Sequence, residues 1–216
     1  MKVYNVEQRT PEWKALHLGR PTASNFHRIV TPVKGDLSKQ ARGYAYQLVA
    51  ETLLGRELDK PRWTTPAMER GIRLEPDAIQ HYCFSNDAEI QKIGFVTTDD
   101  GRVGCSPDGF ISGTRGGLEI KCPEDDNHIG IYIDGAGDEY KCQVQGSLAV
   151  AELEFWDLHV YHPELPSFTR RTHRDELYIA KLNAALREFL DIRDAMLAKA
   201  RASGFFEERA ALAMAA

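Results

Sequence analysis

The sequence lacks any long hydrophobic run. No stretch of eighteen consecutive apolar residues occurs among its 216 residues, and the N-terminus carries no apolar segment of the signal-peptide kind. A membrane-spanning helix needs about 20 such residues and a secretory signal needs a shorter apolar core. These absences argue against membrane insertion and against secretion. We therefore expect a cytoplasmic protein with no membrane partner.

Cysteine is scarce and scattered. The chain has 4 cysteines, no two of which form a CxxC pair: Cys83, Cys105, Cys122 and Cys142. This spacing argues against a zinc ribbon and against a dithiol redox motif. Reduced, mostly buried thiols are expected instead.

Internal repeats are also absent, and the size suits one folding unit. A chain of 216 residues with 43% hydrophobic residues can bury one good core. We therefore predict a single domain over residues 1–216. The tail from about residue 204, which ends in AALAMAA, is expected either to be disordered or to pack on a neighbouring subunit.

An overall excess of positive charge is missing as well. The chain has 27 Lys and Arg against 32 Asp and Glu, a formal net charge of −5. Residues 1–73, however, hold 13 basic and 7 acidic side chains, a net of +6, which leaves −11 for the remainder. Phosphate binding depends on local charge, so a basic N-terminal third is compatible with nucleic acid. A solvated surface face would give the same count.

An unusual stretch runs from Gly104 to Pro123 and reads GCSPDGFISGTRGGLEIKCP. Residues 102–105 and 118–122 are predicted to be strands, and the glycines between them indicate a hairpin-like connection. Chemically reactive side chains lie at the ends of these two strands. The stretch is therefore the first candidate for a functional site.

Three charged side chains of this stretch are expected to converge. Side chains two apart on a strand share a face, so Glu119 and Lys121 should point the same way while their neighbours face the core. Asp108 would add a second carboxylate. Two carboxylates this close repel unless a proton or cation intervenes, and Mg²⁺ prefers one or two carboxylates with waters and phosphate oxygens. A surface Glu119–Lys121 ion pair beside an ordinary turn aspartate is the alternative.

Several motifs agree in order with one known family. SPDG, LEIKCP and YKCQVQ follow QR at residues 8–9, Trp13, LG at 18–19 and TAS at 22–24. The chain thereby resembles the phage lambda exonuclease family of viral recombination nucleases, over most of residues 8–165. That resemblance implies an α/β (α+β) fold with a restriction-endonuclease-like PD-(D/E)xK core, in which helices flank a central mixed sheet.

The resemblance also implies a catalytic set. Asp108, Glu119 and the backbone carbonyl of Ile120 would hold Mg²⁺, or Mn²⁺, with Asp108 bridging to a second ion. Lys121 would position or deprotonate the attacking water, or offset charge on the phosphate. Glu75, from the GxxxE element, would orient the water; its ion-pairing with Arg70 or Arg73 is the alternative.

One further catalytic residue comes from the helix predicted over residues 138–151. Gln143 and Gln145 flank its buried stripe about 200° apart, so only one of them can face the site. By the resemblance, we choose Gln145, which would hydrogen-bond the scissile phosphate or its water.

A phosphate pocket is predicted near the N-terminus. Thr22 or Ser24 can cap a short helix, which would gather amides and hydroxyls near Arg20 and Arg28. In lambda-type exonucleases this region holds the 5′-phosphate of the digested strand. His17 stands where the phage enzyme has arginine, so phosphate binding would depend on a protonated His17 or on Arg20.

Periodicity predicts the remaining elements. Helices are expected over residues 7–18, 38–54, 66–84 and 176–202, the third either starting afresh or kinking at Pro76, and strands over 89–97, 155–161 and 167–173. An irregular, mobile loop that grips DNA is expected from Pro123 to Gly137. Trp63 is expected to anchor its loop, or else to stack on a base.

Taken with these features, the resemblance implies a Mg²⁺-dependent exonuclease that digests double-stranded DNA from 5′ ends and leaves 3′ single strands for recombination by strand annealing. The resemblance implies a homotrimeric ring around DNA and a single-strand annealing protein as partner. A PD-(D/E)xK endonuclease or RecB-like nuclease is the nearest alternative. A non-catalytic DNA-end-binding protein is the alternative of another class.

Overall fold

The computed structural model describes residues 1–58, 66–135 and 137–204. Within these ranges a short 3-10 helix covers Ala23–Arg28. The α-helices are α1 Pro11–His17, α2 Ala41–Leu54, α3 Pro66–Asn86, α4 Asp125–Asp134, α5 Asp138–Ala151 and α6 Glu176–Ala202. The strands are β1 Lys2–Tyr4, β2 Ile90–Gln91, β3 Phe95–Thr97, β4 Gly104–Cys105, β5 Gly109–Ile111, β6 Gly116–Lys121, β7 Phe155–Val160 and β8 Phe168–His173.

The strands form two sheets. A small sheet has the order β1-β3-β4, and a larger sheet has the order β2-β5-β6-β7-β8. In the larger sheet β6 and β7 are parallel while the other neighbours are antiparallel. The predicted mixed central sheet with flanking helices is thus confirmed.

The parallel pair explains why α4 and α5 lie between β6 and β7 in the chain. Parallel neighbours cannot be joined by a tight turn and need a crossover, usually helical. In this register Glu119 lies opposite Leu158, and Lys121 lies opposite Val160. Because α5 lies in this crossover, its residues can approach the carboxyl end of β6.

Local sequence signals fix several helix ends. Thr10 caps α1 by accepting a hydrogen bond from the Trp13 amide at 3.3 Å, with Pro11 at the first helical position. Gly55 ends α2 in the left-handed region at φ 64°. The α3 helix continues through Pro76, so of the two alternatives predicted there, a fresh start and a kink, the fresh start is wrong.

The main core lies between α2, α5, α6 and the 3-10 helix. Its large, fully buried side chains include Phe26, Tyr44, Trp156 and Phe189. A second cluster joins α3 to the inner face of β5 and β6 through residues that include Leu74, Tyr82, Leu118 and Ile120. Leu118 and Ile120 therefore face α3, as the alternation along β6 predicts.

Two predictions about strands need correction. Residues 102–105 are not the hairpin partner of β6, because β4 pairs with β3 in the small sheet while β5 forms the hairpin with β6. The segment 89–97 is two short strands in different sheets rather than one. Gly94, which lies between them, approaches the chain too closely for a side chain: a Cβ there would meet the Val6 carbonyl oxygen at 2.0 Å.

The irregular loop predicted after Pro123 is wrong, since residues 125–134 form α4. His128 anchors this helix: its side chain is buried and its Nε2 lies 3.0 Å from the Pro166 carbonyl oxygen. The prediction failed because the buried face of α4 is made by a histidine rather than by an apolar stripe. Trp63 lies outside the described residues.

None of the helices in the described ranges is both long and apolar enough to cross a bilayer.

Arg171 on β8 pairs with a buried carboxylate of the neighbouring strand. Its Nε and Nη2 donate to Asp157 Oδ1 and Oδ2, both at 2.8 Å, and Tyr82 Oη donates to Oδ2 at 2.6 Å. Asp157 is 1% exposed. Arg171 therefore neutralises a buried charge within the fold.

Replacing Arg171 with alanine should therefore lower the free energy of unfolding by about 2–3 kcal/mol, because Asp157 would remain buried without its counter-ion and the arginine itself is half-exposed. Urea denaturation measures this loss. Arg170→Ala, an exposed neighbour on the same strand, is the matched control and should change stability by less than about 0.5 kcal/mol. Equal losses of stability in the two variants would contradict the role of Arg171 as the counter-ion of Asp157.

Candidate active site

The site is built on the last residues of β6. Glu119 and Lys121 project from the face opposite to Leu118 and Ile120, as expected for alternation along a strand. The Glu119 side chain is 9% exposed and that of Lys121 is 25% exposed. Their Nζ–Oε1 distance is 2.6 Å. This pair is therefore largely buried and is not the surface ion pair of the alternative interpretation.

Asp108 is held against the same strand by backbone contacts. Its Oδ2 accepts a hydrogen bond from the Ile120 amide at 2.6 Å, and its own amide donates to the Leu118 carbonyl at 3.1 Å. Burial raises the pKa of the Asp108 carboxyl well above its usual value, and the negative charge of Glu119 raises it further. Asp108 and Glu119 are thus brought together at a cost that a cation would relieve.

Lys121 lies between the carboxylate and an amide. Its Nζ donates to Glu119 Oε1 and lies 3.5 Å from Gln143 Oε1, while Gln143 Nε2 donates to Glu119 Oε1 at 2.7 Å. Burial lowers the pKa of Lys121, but the charge and hydrogen bond of Glu119 outweigh burial, so the pKa is raised overall. An ammonium group held in this way suits positioning and charge balance better than proton abstraction.

The prediction that Gln145 faces the site is wrong. Gln145 Nε2 donates to the His173 carbonyl at 2.9 Å, and its Oε1 accepts from the Asp175 amide at 2.9 Å. It therefore joins the end of β8 to the start of α6 as a buried structural residue. Gln143, on the opposite side of α5, is the glutamine that contacts Glu119 and Lys121.

Glu75 is placed close to the site by α3. Its Oε2 accepts from Arg9 Nη2 at 2.5 Å, and its negative charge contributes to the raised pKa of Asp108. Its partner is therefore a distant residue of the N-terminal segment. Arg70, one of the local partners considered, instead donates to the Pro123 carbonyl.

A cleft of about 780 Å³ opens beside Glu119, Lys121 and Gln143. Three of the four residues predicted to bind phosphate line it: His17, Arg20 and Ser24. Arg28 does not. Its guanidinium lies 4.3 Å from the centre of the Tyr44 ring and donates to Gln47 Oε1 at 3.1 Å. The structure thus brings most of the predicted phosphate pocket to the same cleft as the catalytic cluster.

His17 and Arg20 are fixed by backbone contacts within this cleft. His17 Nδ1 lies 2.8 Å from the Trp13 carbonyl oxygen, so this nitrogen is the donor, and Nε2 lies 3.2 Å from Ser106 Oγ. Arg20 donates to the carbonyls of Gly101 and Leu16, and burial lowers its pKa. Both side chains are held rigidly on the cleft wall.

Two residues near the N-terminus join the site without any sequence signal for that role. The ion pair of Arg9 with Glu75 connects Arg9 to the catalytic cluster. Gln8 donates to the carbonyls of Ile93 and Pro107 at 3.1 and 2.9 Å, which fixes the segment just before Asp108. Long-range contacts of this kind leave no periodic signal in the sequence.

The donors at the site fit a hard divalent cation. Two carboxylates and a backbone carbonyl are oxygen ligands, and repulsion between Asp108 and Glu119 favours a cation between them. No group of three or more acidic, histidine or cysteine ligands occurs among the described residues.

Comparison with solved structures finds close similarity. An alkaline exonuclease, LHK-Exo, from Laribacter hongkongensis is 29% identical with a TM-score of 0.80, and the match covers 90% of this chain and 98% of that one. A structure of LHK-Exo in complex with dAMP matches over the same shares at 28% identity and TM-score 0.80. A phage-related exonuclease from Haemophilus somnus 129PT shares the fold at 15% identity and TM-score 0.67, over 83% of this chain and 96% of that one.

These similarities identify the fold as PD-(D/E)xK-like. A comparison with curated proteins gives no match. The model of the YqaJ-like viral recombinase domain matches residues 12–154, which include Asp108, Glu119, Lys121 and both helices that carry Glu75 and Gln143. The chain therefore belongs to the family of YqaJ-like viral recombinase domains.

Proposed function

We propose that the chain is a Mg²⁺-dependent exonuclease that removes nucleotides from the 5′ ends of double-stranded DNA and leaves 3′ single strands for recombination. The observation that carries this proposal is the grouping of Asp108, Glu119 and Lys121 around the end of β6, where Glu119 and Lys121 line the cleft that also contains His17 and Arg20. The similarity to an alkaline exonuclease supports it. A related structure contains dAMP, a deoxynucleoside monophosphate of the kind that DNA exonucleases release.

Asp108, Glu119 and the carbonyl of Ile120 would hold Mg²⁺, or Mn²⁺, and Asp108 would bridge to a second ion. Such ions stabilise the charge that develops on the attacking and leaving oxygens. Lys121, held by Glu119, is placed to orient the attacking water or to balance charge on the phosphate. Gln143 takes the orienting role that the sequence analysis gave to Gln145.

The wall of the cleft provides a site for the 5′-phosphate. His17, Arg20 and Ser24 would bind the terminal phosphate, which places the next phosphodiester near Lys121. Their contacts would be to phosphate oxygens, which carry no base information. We therefore expect little sequence preference.

The assembly proposals follow from the family. We propose one domain over the whole chain, three copies in a ring that encloses DNA, a single-strand annealing protein as partner, and a cytoplasmic location. A ring needs complementary heterologous faces on each copy. Light scattering in solution would support the ring if the mass is three times that of the 24.3 kDa chain.

Digestion of duplex DNA in Mg²⁺ tests the proposal. Linear DNA with 5′-phosphate ends, linear DNA with 5′-hydroxyl ends and a covalently closed circle are compared, with product sizes followed over time. Release of mononucleotides from linear DNA, faster from phosphorylated ends, with the circle intact, supports a 5′ exonuclease. Cutting of the circle would establish the endonuclease alternative, and binding of ends without cutting would establish the non-catalytic one.

A further inference from the structure

Arg9 has a backbone conformation that few residues of its kind adopt. Its φ is 71°, in the left-handed region that favours glycine, asparagine and aspartate. Residues in such conformations cost free energy and cluster at functional sites. The unfavourable backbone conformation of Arg9 therefore marks this residue as a candidate for a functional role.

The residues on both sides of Arg9 are anchored by hydrogen bonds. Gln8 is fixed by its two hydrogen bonds to the carbonyls of Ile93 and Pro107. On the other side, Thr10 accepts from the Trp13 amide and donates through Oγ1 to the Glu7 carbonyl at 2.7 Å. With both neighbours anchored, the backbone of Arg9 is held in place and its side chain is directed toward Glu75.

Arg9 lies where two clefts meet. A cleft of about 500 Å³ is lined by residues that include Asp108 and Glu75, and the larger cleft is lined by residues that include Glu119 and Lys121. Gln8 and Arg9 belong to the linings of both. A DNA strand that runs from one cleft to the other past the catalytic cluster therefore passes the guanidinium of Arg9.

The ion pair between Arg9 and Glu75 is weak enough for a phosphate to replace Glu75. The Arg9 side chain is 49% exposed and that of Glu75 is 24% exposed, so their ion pair is reached by solvent and is weakly stabilising. A phosphate offers two oxygens to a guanidinium in a bidentate arrangement. A phosphodiester entering the cleft can thus replace Glu75 as the partner of Arg9.

We propose that Arg9 contacts a phosphate of the bound DNA strand next to the scissile one, and that it leaves Glu75 to do so. This inference rests on the proposed function. Release of Glu75 on DNA binding makes its carboxylate available for the attacking water. Glu75 is then shielded by Arg9 when no DNA is bound.

The test is the salt dependence of DNA-end binding in a background that does not cut, Lys121→Met. Each phosphate contact contributes about 0.7–0.9 to the slope of log affinity against log salt concentration. Arg9→Gly, which suits the left-handed backbone, and Arg9→Gln should both reduce the slope by that amount, while Arg9→Lys should retain it. Arg115→Gln is the matched control, because Arg115 is an exposed arginine paired with Glu154 at the start of β6.

A double-mutant cycle with Glu75→Gln separates a DNA contact from a purely structural ion pair. If Arg9 must leave Glu75, removing the Glu75 charge should tighten DNA binding more when Arg9 is present than in the Arg9→Gln background. An unchanged slope in both Arg9→Gly and Arg9→Gln would overturn the assignment while leaving the proposed function intact. Absence of both end binding and cutting in the wild-type protein, with its fold retained, would overturn both.

Discussion

Replacing Lys121 with methionine should reduce hydrolysis of linear duplex DNA at least ~10³-fold, because the ammonium group that orients the water or balances phosphate charge is lost. Methionine retains most of the volume of the side chain without its charge. The rate of mononucleotide release under single-turnover conditions measures the effect, and the affinity for DNA ends should remain within about tenfold of the wild type, the loss expected for one charge contact.

Stability must be controlled in this experiment because Lys121 neutralises the buried Glu119. The double variant Glu119→Gln/Lys121→Met removes both members of the ion pair and should fold normally, yet it should be equally inactive. Lys199→Ala, at an exposed position near the end of α6, should cut at the wild-type rate. If Lys121→Met retained more than about a tenth of the rate, a loss of under 1.4 kcal/mol in transition-state stabilisation, Lys121 would not belong to the catalytic set.

Much of the fold could be predicted because most of its elements carry local signals. The α6 helix is amphipathic, and the carboxylate of Asp175 caps its start at Glu176, so its predicted range agrees with the structure. Alternation along β6 correctly separates the side chains of Glu119 and Lys121 from those of Leu118 and Ile120. Each of these features depends on neighbours in sequence.

The errors concern elements whose conformation is decided by distant contacts. Strand β4 is only two residues long, and its partner is β3 rather than β6. Helix α4 is anchored through His128 to the carbonyl of Pro166, a contact 38 residues away. Neither pairing can be found from periodicity, because the pattern of apolar residues does not record which surface lies opposite.

In the candidate site, too, features set by neighbours in sequence were predictable and features set by distant contacts were not. The motif residues Asp108, Glu119 and Lys121 converge as expected, because they belong to one hairpin and its end. Arg9 joins the cluster through an ion pair that spans 66 residues. Sequence spacing on α5 correctly restricted the choice to one of two glutamines, but it could not select between them, since the selection depends on how the helix packs across the sheet.

That selection can be tested directly with the pair Gln143→Ala and Gln145→Ala. Gln143 contacts Glu119 and Lys121, so its removal should lower the turnover rate about 10²-fold with little change in the free energy of unfolding. Gln145 satisfies the His173 carbonyl and the Asp175 amide in a buried position. Its removal should cost about 2–3 kcal/mol of stability and leave the turnover rate of the folded protein unchanged.

Urea denaturation and single-turnover digestion of the same preparations measure both quantities. The two variants are matched in chemistry and lie on the same helix, so each is the control for the other. A reversed result, with Gln145→Ala stable but inactive and Gln143→Ala active but unstable, would mean that α5 presents its other side to the DNA. Loss of activity in both at full stability would indicate that the scissile phosphate is contacted from both sides of the helix.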